Sequence, residues 1–133
     1  MLFRTVRAGK RAALTASAAG LATAASLALA PASPALAAPV CNTFSPGGVS
    51  FSVCIAKIGS GGVEASVGNI SGTYISGDLA VYEDGELARS SCSGQFHAGS
   101  DCDFTHWGES GSSYKATWRA KDGSRYDSDT ISA

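Results

Sequence analysis

Two stretches decide the fold: Leu79–Ser90, LAVYEDGELARS, and Tyr114–Ile131, YKATWRAKDGSRYDSDTI. Each places an Asp-Gly pair, Asp84-Gly85 and Asp122-Gly123, between extended runs, and that pair is a strong short-range signal for a β-hairpin. A two-residue turn sets Glu83 opposite Glu86 in the first hairpin and Trp118 opposite Asp127 in the second. A three-residue turn, with glycine in the left-handed position, pairs Val81 with Leu87, Trp118 with Tyr126 and Lys115 with Asp129. Apolar and opposite-charge cross-strand neighbours gain a few tenths of a kcal/mol each, and like charges lose it. The expectation is therefore a three-residue turn in both hairpins.

Working outward, Val49, Phe51, Val53 and Ile55 alternate with Ser50, Ser52 and Cys54, the period-two pattern of a strand with one buried face. Cys54 falls on the serine face, so any bridge it makes lies outside the main core. Gly59-Ser60-Gly61-Gly62 is a turn. Val63, Ala65 and Val67 then alternate with Glu64 and Ser66 in a second strand that runs to about Ile70. Thr73 to Tyr82 is a third extended stretch, and Gly77 within it suggests a bulge or bend. Cys41 to Gly48, CNTFSPGG, reads as a turn-rich lead-in. No window from Ala38 onward has helical periodicity. The expected fold is all-β, a small antiparallel β-sandwich of about seven strands with two disulfides. Tyr114, which starts its strand after Gly111-Ser112-Ser113, resembles the tyrosine corner of immunoglobulin-like domains. Ala116 stands where that pattern has a cysteine, and the spacing to the glycine differs by one. The resemblance implies an immunoglobulin-like sandwich and nothing about function.

The N-terminal part reads as an export signal. Arg4, Arg7, Lys10 and Arg11 precede an uncharged, Ala-rich run from Ala12 to Ala30, and Ala35-Leu36-Ala37 has the small-x-small form of a cleavage site. Residues 1–37 are expected to be a secretory signal peptide and 38–133 a single secreted domain. The run is weakly hydrophobic and broken by Pro31 and Pro34, which disfavours a retained anchor. No Arg-Arg pair marks the twin-arginine route, and Pro39-Val40 before Cys41 fits lipidation poorly. The composition of the leader resembles those of high-GC Gram-positive bacteria.

The leader holds four of the ten Lys and Arg and none of the eleven Asp and Glu, so residues 38–133 carry six basic and eleven acidic side chains, net −5. Nucleic acid and anionic membrane surfaces, which need positive patches, are therefore not the expected partners. Lys115, Arg119, Lys121 and Arg125 cluster in one hairpin, but Asp122, Asp127 and Asp129 are interleaved with them, so a mixed-charge solvated face is expected. Four cysteines in an exported chain imply two disulfides. Three connectivities exist, and Cys41–Cys54 with Cys92–Cys102 closes the shortest loops.

Between the hairpins lies Ser90–Trp107, SSCSGQFHAGSDCDFTHW, which holds both histidines. His97, Asp101, Asp103 and His106 are suitable zinc ligands by type, but their spacing matches no ligand motif, and neither a metal nor another cofactor is expected. No G-x-S-x-G elbow or catalytic signature occurs, so the expectation is a monomer that is not an enzyme. A loop braced by Cys92–Cys102 would present Phe96 near its apex and bind, or inhibit, an extracellular protein at little entropic cost; the plainer alternative, which Gly94 and Gly99 favour by loosening the loop, is a stapled connection with Phe96 packed inward. The candidate binding residues are Phe96, His97, His106 and Trp107. The alternative is a glycan- or cell-surface-binding module built on Trp107, and a small enzyme is third. An outward Phe96 favours the first reading and a flat, exposed Trp107 the second.

Overall fold

The computed structural model describes residues 37–133, and the expected leader and its cleavage site lie outside them, apart from Ala37. Nine strands follow in order: β1 (Val40–Phe44), β2 (Ser50–Gly59), β3 (Gly62–Ser71), β4 (Tyr74–Glu83), β5 (Glu86–His97), β6 (Cys102–Trp107), β7 (Ser113–Ala120), β8 (Arg125–Asp127) and β9 (Ile131–Ser132). One antiparallel sheet has the order β1-β2-β3-β6. The other runs β9-β7-β4-β5, with β8 also pairing β7. The two form a β-sandwich. The lead-in read as a turn contains a strand, because Val40–Phe44 pairs with Phe51–Ile55. Only Pro46–Gly48 is a turn, of 3₁₀ type. The final edge is split into β8 and β9.

The core follows the alternation. Phe51, Val53 and Ile55 of β2 meet Val63, Ala65 and Val67 of β3, and across the sandwich lie Leu79 and Val81 of β4 with Tyr114, Ala116 and Trp118 of β7. Both disulfides form as expected. Cys41–Cys54 joins directly opposed residues of β1 and β2 on the outer face. Cys92–Cys102 joins β5 of one sheet to β6 of the other, and Cys92 is part of the core. Since β5 and β6 each border their sheet, this bridge laces together one open side of the sandwich.

The hairpin registers divide. In the second, Trp118 pairs with Tyr126, Lys121–Gly123 form the three-residue loop closed by Ala120 N–H on the Ser124 carbonyl at 2.8 Å, and Gly123 has φ +96°. The ladder stops at Asp127, so Lys115 does not pair with Asp129. It forms an ion pair with Asp127 at 3.4 Å instead. In the first hairpin Glu83 pairs with Glu86 and Tyr82 with Leu87, which is the two-residue turn and overturns the Val81–Leu87 expectation. Asp84 and Gly85 have φ of +51° and +86°, as a tight primed turn requires. The feared repulsion is absent because Glu83 turns inward onto Tyr114 and the Glu109 N–H.

The bulge expected near Gly77 is present, but its extra residue is on the opposite strand. Gly77 faces Gly94 and Leu79 faces Ser91, so Cys92 and Ser93 together oppose Asp78. Gly77 itself marks a close approach: a Cβ there would run into the carbonyl oxygen of Arg119 and come within 2.9 Å of Ala120 Cα.

The outward face of the β4–β7 pair is the mixed-charge surface expected. Arg119 makes a two-pronged pair with Asp78, at 2.9 and 2.6 Å, and the Arg125 guanidinium lies 4.8 Å from the Tyr82 ring centroid.

Candidate functional site

The segment Ser90–Trp107 is not a protruding loop. It is the end of β5, a short turn, and all of β6. The turn is clasped to the β3–β4 connection: Ala98 N–H bonds the Thr73 carbonyl at 3.2 Å and Gly99 N–H the Ile70 carbonyl at 3.0 Å. Phe96 pairs with Ile75 and packs edge-on against Trp118, with centroids 6.0 Å apart. It is half-buried, since it shares the inward parity of Cys92. Of the two readings of the braced segment, the stapled connection with Phe96 packed inward is the one observed, and Phe96 does not stand at an exposed apex. His97 is exposed and sits edge-on to Tyr74 at 5.8 Å.

β6 carries its side chains alternately inward and outward. Phe104 and His106 point into the sandwich, while Asp103, Thr105 and Trp107 point out. The four candidate binding residues therefore do not converge: Phe96 and His97 close β5 at one end of the sandwich, and His106 and Trp107 close β6 at the other. Nor do His97, Asp101, Asp103 and His106 gather, and no group of three or more potential metal ligands occurs among the described residues.

Trp107 is 62% exposed, the most exposed of the large hydrophobic residues described. It ends a strand rather than lying in a loop, and pairs with Gly62. Its ring rests on the backbone of the β2–β3 hairpin. A Cβ on Gly59 would come within 3.1 Å of Trp107 Cη2, and one on Gly62 within 2.7 Å of Cη2 and closer still to Cζ3 and Cε3. Two glycines thus supply a bare seat for one side of the indole and leave the other to solvent.

Beneath this seat a polar cluster fixes the chain after Trp107. Gly108 N–H bonds the Gly61 carbonyl at 2.7 Å. Glu109 N–H donates to Glu83 Oε2 at 2.9 Å, and its carbonyl accepts the Tyr114 hydroxyl at 2.6 Å. Tyr114 also donates to Glu83 Oε2 at 3.1 Å, and His106 Nε2 lies 3.3 Å from Glu83 Oε1. The Tyr114 bond to a carbonyl five residues upstream is the one a tyrosine corner makes. Gly108 is needed here, because a Cβ would strike the Glu83 carboxylate and approach the Tyr114 hydroxyl to 2.6 Å. Glu83 is not legible in this role from its local surroundings, since its partners lie 23 to 31 residues away.

The Glu109 N–H holds the Glu83 carboxyl down at about 2, against the opposing effect of burial, with His106 and Tyr114 adding to the lowering. Its ordinary value is 4.5. The folded state therefore binds fewer protons than the unfolded state between those values, and Glu83 contributes stability above pH 4.5 that is lost as the pH falls toward 2. Glu83→Gln is expected to lower the thermal midpoint at pH 7, with the difference from the native protein shrinking across that acid window. A difference that stays constant from pH 7 to pH 2.5 would show that the charge of Glu83 is not what holds the cluster.

Along the outer face, Trp107, Thr105 and Asp103 of β6 oppose Gly62, Glu64 and Ser66 of β3. Ser52, Cys54 and Ala56 of β2 lie beyond them on the same face but are buried, Cys54 beneath its bridge to Cys41 and Ser52 bonded to Thr43. This makes a shelf of short side chains with the indole at one end, about 13 Å from Asp103 at strand spacing. At the other end a groove of about 320 Å³ is lined by Ser52, Ser66, Asn69, Asp101 and Asp103, among others. Glu64 and Asp103 are the charged residues on the paired positions of this shelf, and none of those positions is basic.

The fold and shelf define a two-disulfide β-sandwich with an aromatic platform. Comparison with known protein families, with curated proteins and with solved structures finds no match. The two disulfides fit an oxidising environment, and no helix among the described residues is long and apolar enough to cross a membrane.

Proposed function

We propose that the protein is a secreted glycan-binding module of the bacterial cell exterior, an immunoglobulin-like sandwich released by cleavage of its signal peptide and without catalytic activity. The observation that carries this reading is Trp107, 62% exposed and seated on Gly59 and Gly62. Aromatic rings with one open face bind the apolar face of a sugar, and fixed rings lose little entropy on doing so. The small-residue shelf leaves room for further rings beside the indole, and its Ser, Thr and Asp side chains supply hydrogen bonds to hydroxyls. With acidic and no basic groups on the paired positions, the shelf suits neutral polysaccharide better than anionic polymers.

Retention on insoluble polysaccharides and purified cell wall tests the reading. The oxidised protein is expected to be retained by at least one of them. Trp107→Ala is expected to weaken retention about thirtyfold, the effect of truncating a central tryptophan contact of about 2 kcal/mol. Phe96→Ala is expected to leave it unchanged. Retention of a protein from culture supernatant that is lost with Phe96→Ala, with no polysaccharide bound, would overturn the glycan reading in favour of protein binding through residues 92–107.

A further inference from the structure

The charges around Trp107 narrow the class of sugar that its shelf would take. In the sheet β1-β2-β3-β6 the acidic side chains are Glu64 and Asp103, and the one lysine or arginine is Lys57. Lys57 pairs with Val63 and shares the inward register of that core residue. Both carboxylates instead share the outer face with Trp107. Neither has a basic side chain within ion-pair distance among the described residues.

Two carboxylates alone define no site, but here they stand in line with a seated indole. The six-membered ring of Trp107 occupies the space where a Cβ on Gly62 would stand. Glu64 is the next side chain on that face of β3, about 7 Å along the strand at two residues' rise. It is half-buried beside Thr105, its cross-strand partner. A cation is attracted to an indole face when it lies within about 6 Å of the ring centroid. An ammonium group at the Glu64 side of the ring is therefore within reach of both the indole and the carboxylate. Asp103, opposite Ser66, comes about 7 Å further in the same direction. Ring, carboxylate and carboxylate in a row complement a chain that carries ammonium groups at intervals. A neutral chain would leave both carboxylates without a cation, and an anionic one would be repelled by them.

We propose that the glycan bound at Trp107 is an amino-sugar polymer with free ammonium groups, one sugar ring on the indole with its ammonium at Glu64 and a following ammonium toward Asp103. This rests on the glycan reading and names the substrate class within it.

The test is calorimetric titration of the oxidised protein with β-linked oligomers of glucosamine, of N-acetylglucosamine and of glucose, matched in length. Mildly acidic buffer keeps the glucosamine amines protonated. The glucosamine oligomer is expected to bind tightest, and added salt is expected to weaken it alone. Glu64→Gln is expected to weaken it about tenfold, the worth of one charge-assisted hydrogen bond, and to leave the other two oligomers unchanged. Trp107→Ala is expected to weaken the glucosamine oligomer as well. Binding of glucosamine that survives Trp107→Ala would be adsorption of a polycation to an acidic protein and would overturn the proposal. Glucose or N-acetylglucosamine oligomers bound as tightly as glucosamine, or no effect of Glu64→Gln, would overturn it and leave the glycan reading standing. Failure of all three oligomers and of every insoluble polysaccharide would remove both.

Discussion

Replacing Cys92 and Cys102 together by serine is expected to destabilise the domain by about 3 kcal/mol, from the loop entropy released to the unfolded chain. At the size of this domain that corresponds to a fall in thermal midpoint of roughly 12–24 °C. The effect is expected to exceed that of removing Cys41–Cys54, although the two loops differ little, with separations of 13 and 10 residues. Cys41–Cys54 links β1, already paired along its whole length, to β2, and Cys41 is exposed. Cys92–Cys102 crosses from sheet to sheet and fills the core beside them, so serine there also buries a hydroxyl in an apolar site. Thermal unfolding of the two double variants checks this. Equal losses would show that loop entropy alone accounts for both bridges and that the inter-sheet position of the second contributes nothing.

The second large effect is expected at Gly62, a residue with no side chain to contact any ligand. Gly62→Ala is expected to abolish most polysaccharide retention, about as severely as Trp107→Ala, while leaving the midpoint of unfolding nearly unchanged. The added methyl would occupy the space of the Trp107 six-membered ring, and the ring would have to swing off the sheet. The backbone at Gly62 is ordinary strand, paired with Gly59 and Trp107, so alanine there costs no backbone strain. Full retention with Gly62→Ala would mean that the seated orientation of the indole is irrelevant to binding.

Much of this architecture is legible in the sequence because it is local or periodic. The alternation of Phe51, Val53 and Ile55, and of Val63, Ala65 and Val67, places the core face of two strands directly. Trp118 opposite Tyr126 was recoverable from the cross-strand preference of large rings. The first hairpin failed for an instructive reason. Pairing rules treat Glu83 and Glu86 as two charges facing each other, but Glu83 has inward partners in Tyr114, Glu109 and His106, and those are long-range.

Residues 90–107 failed for a related reason. Glycines, serines and cysteines give no alternation, so the second half of β5 and all of β6 read as a loop, and their order comes from pairing with β4 and β3. The inward turn of Phe96 follows from that pairing and is invisible in the local sequence. Trp107 was legible as a candidate for exposure. Its seat was not, because nothing in the glycines of the Gly59–Gly62 turn announces that a ring from 45 residues further on will lie across them.

The central claim is that sugar binds at Trp107, and a map of amide and indole shifts tests it most directly. With ¹⁵N-labelled oxidised protein and soluble oligosaccharides released from whichever polysaccharide retains it, the expected shifts cluster at the Trp107 indole N–H and at the backbone of Gly62, Glu64, Thr105 and Ser66. Shifts confined to Phe96–Asp101, with the Trp107 indole unmoved, would contradict the account.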